Sequence, residues 1–472
     1  MNVWTESRTL PWIGRAPGAP YFMDEAGRAW TPIGQNDSIA WVEFAGLLGR
    51  HDLPSVRRHL RYLADSGVTC LRFMLEYAQH GSHFFEQPAG RFNPEMVGLW
   101  DDLFELVEQA GLRILLTPMD TYFHWVRWDL HPYNAANGGP CTARTRLMVC
   151  PDTRALMKAR LEFAARRWGG SGALFAWDLW NEMHPVQGED QPRCFEDYID
   201  DVSPFLRAVE RQAHGRAHLQ CVSVFGPELH WKPWLNEPIF RHPLLDFANN
   251  HLYEEGTIDH PQDTVAPALA VAKLMAEALE QITDDRPFFD TEHGPIHTFK
   301  DHGVTLPEAF DDEYFRHIQW THLACGGAGG GMRWPNRHPH VLTRGMRQAQ
   351  RSLAGFLKLI DWTRFRRRLL NEGLRCSDPD VVVFGCGDAS QAVLYLLRQR
   401  PLQSDGRLDA RGGRPVWVEV PGLGPGRFRA AVWSPELGCS NAEITIQESA
   451  GGYHKFMTNL TGDAAVAIRC RG

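Results

Sequence analysis

From residue 54 onward the hydrophobic pattern alternates between two periods. Pro54 to Ser66 carries apolar residues at helical spacing, Gly67 stops the run, and Val68-Thr69-Cys70-Leu71-Arg72-Phe73-Met74 follows as a short apolar strand. The unit repeats. Pro94 to Ala110 ends at Gly111 and leads into Arg113 to Met119, and Thr153 to Trp168 ends at Gly169 and leads into Leu174 to Trp180. A helix closed by glycine and followed by a short apolar strand is the mark of a parallel βαβ unit. Further strands are expected at Leu219 to Val224, Asp246 to His251, Pro287 to Thr291 and Ala324 to Arg333, with helices near Phe195 to His214, Ala266 to Ile282 and Glu313 to His322. With the segment ending at Asn36 the strands number eight, which predicts a closed (β/α)8 barrel rather than an open sheet. A hairpin over Tyr21 to Ile33, turning at Asp24-Glu25-Ala26-Gly27, precedes the first of them.

After Trp362 the period shortens. Val381 to Phe384, Ala392 to Arg398, Pro415 to Val420, Phe428 to Trp433, Glu443 to Ile446, Tyr453 to Met457 and Ala464 to Arg469 read as strands with no helix among them. Glycine-rich turns at Gly406, Gly412-Gly413, Gly422 to Gly426 and Gly451-Gly452 separate them. This pattern predicts a small β-sandwich, so the expected organisation is a barrel over residues 1–364 and an accessory sandwich over 365–472. A chain of 472 residues is also longer than one hydrophobic core normally serves.

Composition narrows the function. A 43% hydrophobic and 22% charged chain with net charge −8 is an ordinary globular protein without the clustered cations that nucleic acid or an anionic membrane surface requires. No segment reaches the roughly 18 apolar residues of a membrane span. The first twenty residues, with Glu6, Arg8, Pro11, Arg15 and Pro17, lack the apolar stretch of a secretion signal, so a cytoplasmic protein is expected. The ten cysteines are scattered without a CxxC pair and are expected as free thiols. No GxGxxG and no phosphate-loop GK[ST] occurs, and the cluster Gly326 to Gly331 reads as a strand with close backbone approach. Of 17 tryptophans, only Trp417 and Trp433 lie beyond Arg364, and indole faces suit the C–H faces of sugars.

In a barrel of this kind reactive groups stand at the C-terminal ends of strands. The fourth strand runs Phe175-Ala176-Trp177-Asp178-Leu179-Trp180 into Asn181-Glu182, and the seventh runs Phe288-Phe289-Asp290-Thr291 into Glu292-His293-Gly294. Strands three apart in a ring of eight face each other across the mouth, so the two glutamates form a candidate carboxylate pair. One protonated and one ionised carboxyl about 5 to 5.5 Å apart is the requirement of a retaining glycosidase. Taken singly, each glutamate reads equally as a surface or salt-bridged residue.

The chain here resembles glycoside hydrolase clan A, and most closely the cellulase and mannanase type enzymes of family 5. Trp-Asp-Leu-Trp-Asn181-Glu182 is similar to the clan's acid/base motif and Phe-Asp-Thr-Glu292-His-Gly294 to its nucleophile strand. Leu71-Arg72-Phe73 resembles the second-strand arginine that stabilises the nucleophile, and His251-Leu252-Tyr253 the sixth-strand His-x-Tyr. Trp334 resembles the eighth-strand tryptophan that floors the sugar subsite. The resemblance implies Glu182 as general acid/base and Glu292 as nucleophile, with Asn181 on the sugar 2-hydroxyl. Arg72, His251, Tyr253 and Trp334 support them, and Asn36, at the end of the first strand, is a further candidate. His124 is a loose counterpart of the family's third-strand histidine.

The segment Asp120 to Cys150, with Tyr122, His124, Trp125, Trp128 and His131, reads as a long irregular loop of the kind that walls a barrel's active site. His124 and Trp125 are its candidate substrate contacts. His338-Pro339-His340 is an HxH, but it follows the eighth strand and no HExxH or Cys/His cluster completes a metal site, so neither metal nor other cofactor is expected. The resulting expectation is a retaining, exo-acting β-glycosidase for an oligosaccharide or polysaccharide substrate, of β-mannosidase, β-glucosidase or β-galactosidase type. An endo-β-mannanase or endo-β-glucanase is the alternative within the class, and a non-catalytic carbohydrate-binding barrel the alternative outside it. Oligomeric state is not legible in the sequence.

Overall fold

A computed structural model describes residues 9–77, 83–296 and 305–470. Glu6 and Arg8, on which the reading of the N-terminus partly draws, lie outside the described residues.

The helix starts and stops follow local chemistry. The helix Pro94–Ala110 begins with proline in its first turn and with Asn93 accepting the Glu95 N–H at 3.0 Å; it ends at Gly111, whose φ of 76° favours glycine. Its inward face buries Met96, Leu99, Trp100, Leu103, Phe104 and Val107. Helices Leu53–Asp65, Pro151–Trp168, Cys194–His214, Ala266–Gln281 and Glu308–Ala324 lie where the period placed them. A further helix, Arg344–Phe356, closes the last βα unit and was not among the expected ones. Its signal is present in Thr343, which caps Met346, and in the buried stripe Met346, Ala349, Leu353, Phe356.

The parallel sheet runs in spatial order through strands Leu219–Cys221, Leu174–Asp178, Arg113–Thr117, Cys70–Met74, Gly34–Asp37 and Met332–Arg333. First and second strands approach so closely that a Cβ on Gly34 would stand 1.7 Å from the Cys70 carbonyl oxygen. Positions six and seven, expected as strands Asp246 to His251 and Pro287 to Thr291, complete the ring through isolated bridges, Phe225 to His251, Ala248 to Phe288 and His293 to Arg333. Side chains take part of the backbone hydrogen bonding here. Asp290 Oδ1 accepts the N–H groups of Leu252 at 3.3 Å and Glu292 at 3.0 Å, and Asn249 Oδ1 accepts that of Thr291 at 3.3 Å. The Leu252 N–H also reaches the Glu292 carbonyl at 3.1 Å, so side-chain and strand-to-strand bonds mix here, and Pro287 has no donor to offer. The eighth strand is likewise shorter than expected. The preceding helix runs to Ala324, and Gly329 and Gly331 turn at φ of 134° and 75° before Met332. At the N-terminus the expected hairpin gains a third strand, giving Ile13–Arg15, Phe22–Asp24 and Ala29–Trp30.

All seven expected C-terminal strands are present, most of them longer, with short edge strands at Arg368–Leu369, Arg375–Cys376 and Gln447–Ser449. They form two antiparallel sheets of six and four strands. Strand Gln391–Arg398 is buried along its whole length because it has a partner on each side. Ala392, Leu394 and Leu396 enter the sandwich core, while Val393, Tyr395 and Leu397 join the barrel's core beside Trp320 and Phe356. Trp433 adds to that junction, 6.1 Å from the Phe356 ring and bonded through Nε1 to Ser352 Oγ at 3.0 Å. A shared core of this kind predicts one cooperative unfolding transition. Trp433→Ala should lower stability by about 3–5 kcal/mol and leave a single transition in a denaturant titration followed by fluorescence and by circular dichroism.

Candidate active site

Arg72 organises the mouth of the barrel. It rises from the second strand, fully buried, and its guanidinium meets the ends of the first, fourth and seventh strands. One terminal nitrogen donates to Asn36 Oδ1 at 2.8 Å and to Glu292 Oε2 at 3.1 Å; the other donates to Asp178 Oδ2 at 2.7 Å and to Asn181 Oδ1. A planar fork with fixed donors suits such a junction, where a lysine would serve as a point charge only. Asn36 is held in turn by donating to the Thr291 carbonyl at 2.8 Å.

The two glutamates stand together at this centre. Their carboxylate oxygens come within 4.8 Å of each other. Glu292 Oε1 accepts from the Tyr253 hydroxyl at 3.0 Å, so this carboxylate receives a donor on each oxygen, Tyr253 on one and Arg72 on the other. Glu182 faces His251 Nδ1 at 2.8 Å, and the same nitrogen lies 3.7 Å from Glu292 Oε2. Burial pushes both carboxyls up to about 7; for Glu292 the neighbouring Glu182 adds to the rise, while His251, Arg72 and Tyr253 oppose it. Burial also lowers His251 to about 4, so it is neutral at pH 7, and keeps the Tyr253 hydroxyl protonated. With two direct donors on Glu292 and none of fixed charge on Glu182, the ionised form is favoured at Glu292.

Backbone geometry sets Glu182 apart. It is one of few non-glycine residues with positive φ, 49°, at a cost of about 1–3 kcal/mol. Ser223, at the end of the fifth strand, compensates: its Oγ accepts the Glu182 N–H at 3.1 Å and donates to Asp178 Oδ2 at 3.1 Å. Asn181 donates to Asp120 Oδ1. Asp178, Ser223, Asp120, Asn249 and Asp290 were not read as site residues from the sequence. The available signal was a carboxylate, amide or hydroxyl inside or at the end of an otherwise apolar strand.

The remaining candidates form the walls. Trp334 follows the eighth strand with Trp41 edge-on at 5.4 Å, and Trp41 donates through Nε1 to the Tyr77 hydroxyl at 2.9 Å. The segment after the third strand is more ordered than expected. It holds the helix Thr121–Val126 and three short helical turns between Trp128 and Arg146. His124 on that helix is buried away from the carboxylate pair, 5.9 Å from the Trp180 ring and 4.5 Å from that of His131, with neither ring nitrogen hydrogen-bonded. Trp125 packs edge-on against His184 at 5.3 Å beneath the Arg144 guanidinium.

Two further clusters bring histidine and carboxylate together among the described residues, Glu76 with His124 and His131, and Asp37 with Glu43 and His59. Each already has a cation. Arg160 lies 3.1 Å from Glu76 Oε1, and Arg347 faces the second group. His338 and His340 stand in neither cluster. Among the described residues no helix is long and apolar enough to cross a membrane.

No protein-family model and no curated protein matches the chain. Solved structures do match it in fold. A glycoside hydrolase family 5 structure from Bacteroides vulgatus superposes with a TM-score of 0.63 at 11% identity, covering 98% of this chain and 93% of its own. A family 5 mannosidase from Rhizomucor miehei, in complex with mannosyl-fructose, superposes with a TM-score of 0.53 at 14% identity, covering 74% of this chain and 97% of its own. At these identities the likeness establishes the (β/α)8 barrel with its C-terminal β-sandwich.

The raised carboxyls have a consequence for stability. A carboxyl whose folded pKa exceeds its unfolded value contributes most below the unfolded value near 4.5 and loses that contribution as pH rises through about 7. Glu182→Gln should therefore melt higher than the parent at pH 8, with the gap narrowing at pH 5. Thermal scans at the two values check this.

Proposed function

We propose that the protein is a retaining glycoside hydrolase that cleaves β-glycosidic bonds of oligosaccharides by double displacement. The observation that carries the reading is the carboxylate pair within 4.8 Å, one member held by Arg72 and Tyr253 and the other free of any cation's direct hydrogen bond. That spacing suits direct attack by a carboxylate on the anomeric carbon and leaves little room for an intervening water.

In the first step Glu292 attacks the anomeric carbon while Glu182 gives its proton to the departing glycosidic oxygen. Glu182 then takes a proton from water, whose oxygen displaces Glu292. Arg72 and Tyr253 hold the Glu292 carboxylate in place. Asn181 uses one amide N–H on Asp120 and has a second for the sugar 2-hydroxyl, where hydrogen bonds strengthen in the oxocarbenium-like transition state. Trp334 supplies an indole face to the sugar.

The action is exo, of β-mannosidase, β-glucosidase or β-galactosidase type. The segment carrying the helix Thr121–Val126 supports this by building up one side of the mouth, where Trp180 bonds to Thr121 at 2.9 Å. The family 5 mannosidase among the structural neighbours puts mannosides first in any screen. On the same reading residues 1–364 are the catalytic domain and 365–472 a supporting sandwich, the location is cytoplasmic, and His124 and Trp125 act on substrate only through the wall they build.

A panel of nitrophenyl β-glycosides, followed by NMR for the anomer first released, tests the proposal. Turnover with net retention is expected, and Glu292→Ala should lower kcat by at least about 10⁴-fold, the scale of a lost nucleophile. Parent-rate turnover by that variant, or release of the inverted anomer, would overturn the assignment. Early mid-sized fragments from a polymer would reassign the action as endo, and binding without turnover would leave a carbohydrate-binding barrel.

A further inference from the structure

The position of one hydrogen atom follows from contacts behind the carboxylate pair. Asn249, at barrel position six, accepts the Thr291 backbone N–H through Oδ1 at 3.3 Å, which fixes which end of its amide is oxygen. The same Oδ1 lies 2.9 Å from Thr291 Oγ1. Two oxygens at that distance need a proton between them, and only the threonine hydroxyl has one, so Thr291 donates to Asn249. Its hydroxyl hydrogen is then spent. Thr291 Oγ1 also lies 3.2 Å from His251 Nε2 and can take part there only as acceptor, so Nε2 carries the hydrogen. A neutral imidazole protonated at Nε2 presents a bare lone pair at Nδ1, the atom 2.8 Å from Glu182 Oε1.

We propose that Asn249 and Thr291 are positioning residues that hold His251 in its Nε2–H tautomer and so keep the acid proton on Glu182 rather than Glu292. The inference rests on the reading of Glu182 as acid/base and adds, to the two donors that favour the anion at Glu292, a contact that favours the proton at Glu182. A lone pair at 2.8 Å is satisfied by a protonated Glu182 and repels an ionised one. The opposite tautomer would donate to Glu182 and stabilise its anion, which leaves less of it protonated for the first step and makes it a weaker base in the second. The groups facing Glu182 from the surrounding elements are Arg72, Asp120, Asp178, His251, Tyr253 and Glu292, and those facing His251 include Asp290. Of these, only His251 has a hydrogen whose position the Asn249–Thr291 pair decides.

Thr291→Val keeps shape and removes the hydroxyl. Activity is read as the pH dependence of kcat/KM on the nitrophenyl glycoside that the parent hydrolyses and on the methyl glycoside of the same sugar. The methyl leaving group needs the acid far more than nitrophenolate does. The variant should lose about tenfold more rate on the methyl glycoside than on the nitrophenyl one, within the range of general acid catalysis, and its basic limb should move to lower pH. Thr291→Ser should restore both. If Thr291→Val does not fold, Asn249→Ala frees the threonine hydroxyl to donate to Nε2 and should shift the limb in the same direction.

Equal losses on the two substrates with an unmoved basic limb would overturn the proposal. So would an Nδ1–H signal for His251 in long-range ¹⁵N–¹H spectra, assigned by its disappearance in His251→Gln. The spectrum needs no turnover, so a parent enzyme inactive on every glycoside would refute the hydrolase reading and leave the tautomer still decided by the nitrogen signals.

Discussion

A single guanidinium buried among strand ends is the constraint on which the rest of this structure depends. Arg72 has no exposed surface, and an unpaired charge in such a place would be prohibitive. It is made tolerable by Asp178 and Glu292, with Asn36 and Asn181 taking further donors. The four partners come from the first, fourth and seventh strands, so the arginine's solvation shell is also a clamp that ties those positions to its own second strand. Removing any one partner would leave a buried donor unmet, and so the geometry of the pair is tied to the stability of the barrel mouth.

The clamp distributes charge unevenly, and the proposed chemistry uses that unevenness. Two carboxyls so close in a buried site resist being ionised together, and burial raises both. What separates them is the company each keeps. Glu292 has Arg72 and Tyr253; Glu182 has a neutral histidine, a positive φ and a backbone N–H tied to Ser223. Asp178 draws the guanidinium at 2.7 Å, closer than Glu292 at 3.1 Å. The proposed nucleophile is thereby anchored without being the arginine's tightest partner, which leaves its carboxylate free to make a bond.

Much of this was legible in the sequence because helical period and glycine stops report burial directly. The helix from Pro94 to Ala110 is marked at both ends by Pro94 and Gly111, and its bounds agree with the pattern. The two glutamates were legible because each ends an apolar run. The parts that were not legible are those in which one residue answers another far away. Ser223 means nothing until the fifth strand brings it under Glu182, and Asn249 resembles any strand-end amide until Thr291 lies against it. His124 shows the reverse. Its place near the third strand suggested a sugar contact, but helix formation from Thr121 turns it into the packing around Trp180 and His131.

The strand positions joined only by isolated bridges connect these levels. The N–H groups of Thr291 and Glu292 go to the Asn249 and Asp290 side chains, and that of Leu252 is shared between Asp290 Oδ1 and the Glu292 carbonyl. Side-chain acceptors thus enter the backbone hydrogen bonding beneath the proposed reacting groups, where the His251, Tyr253 and Glu292 side chains are aimed. Glycine-marked helices and apolar strands elsewhere in the ring supply the rigidity against which that local departure is held.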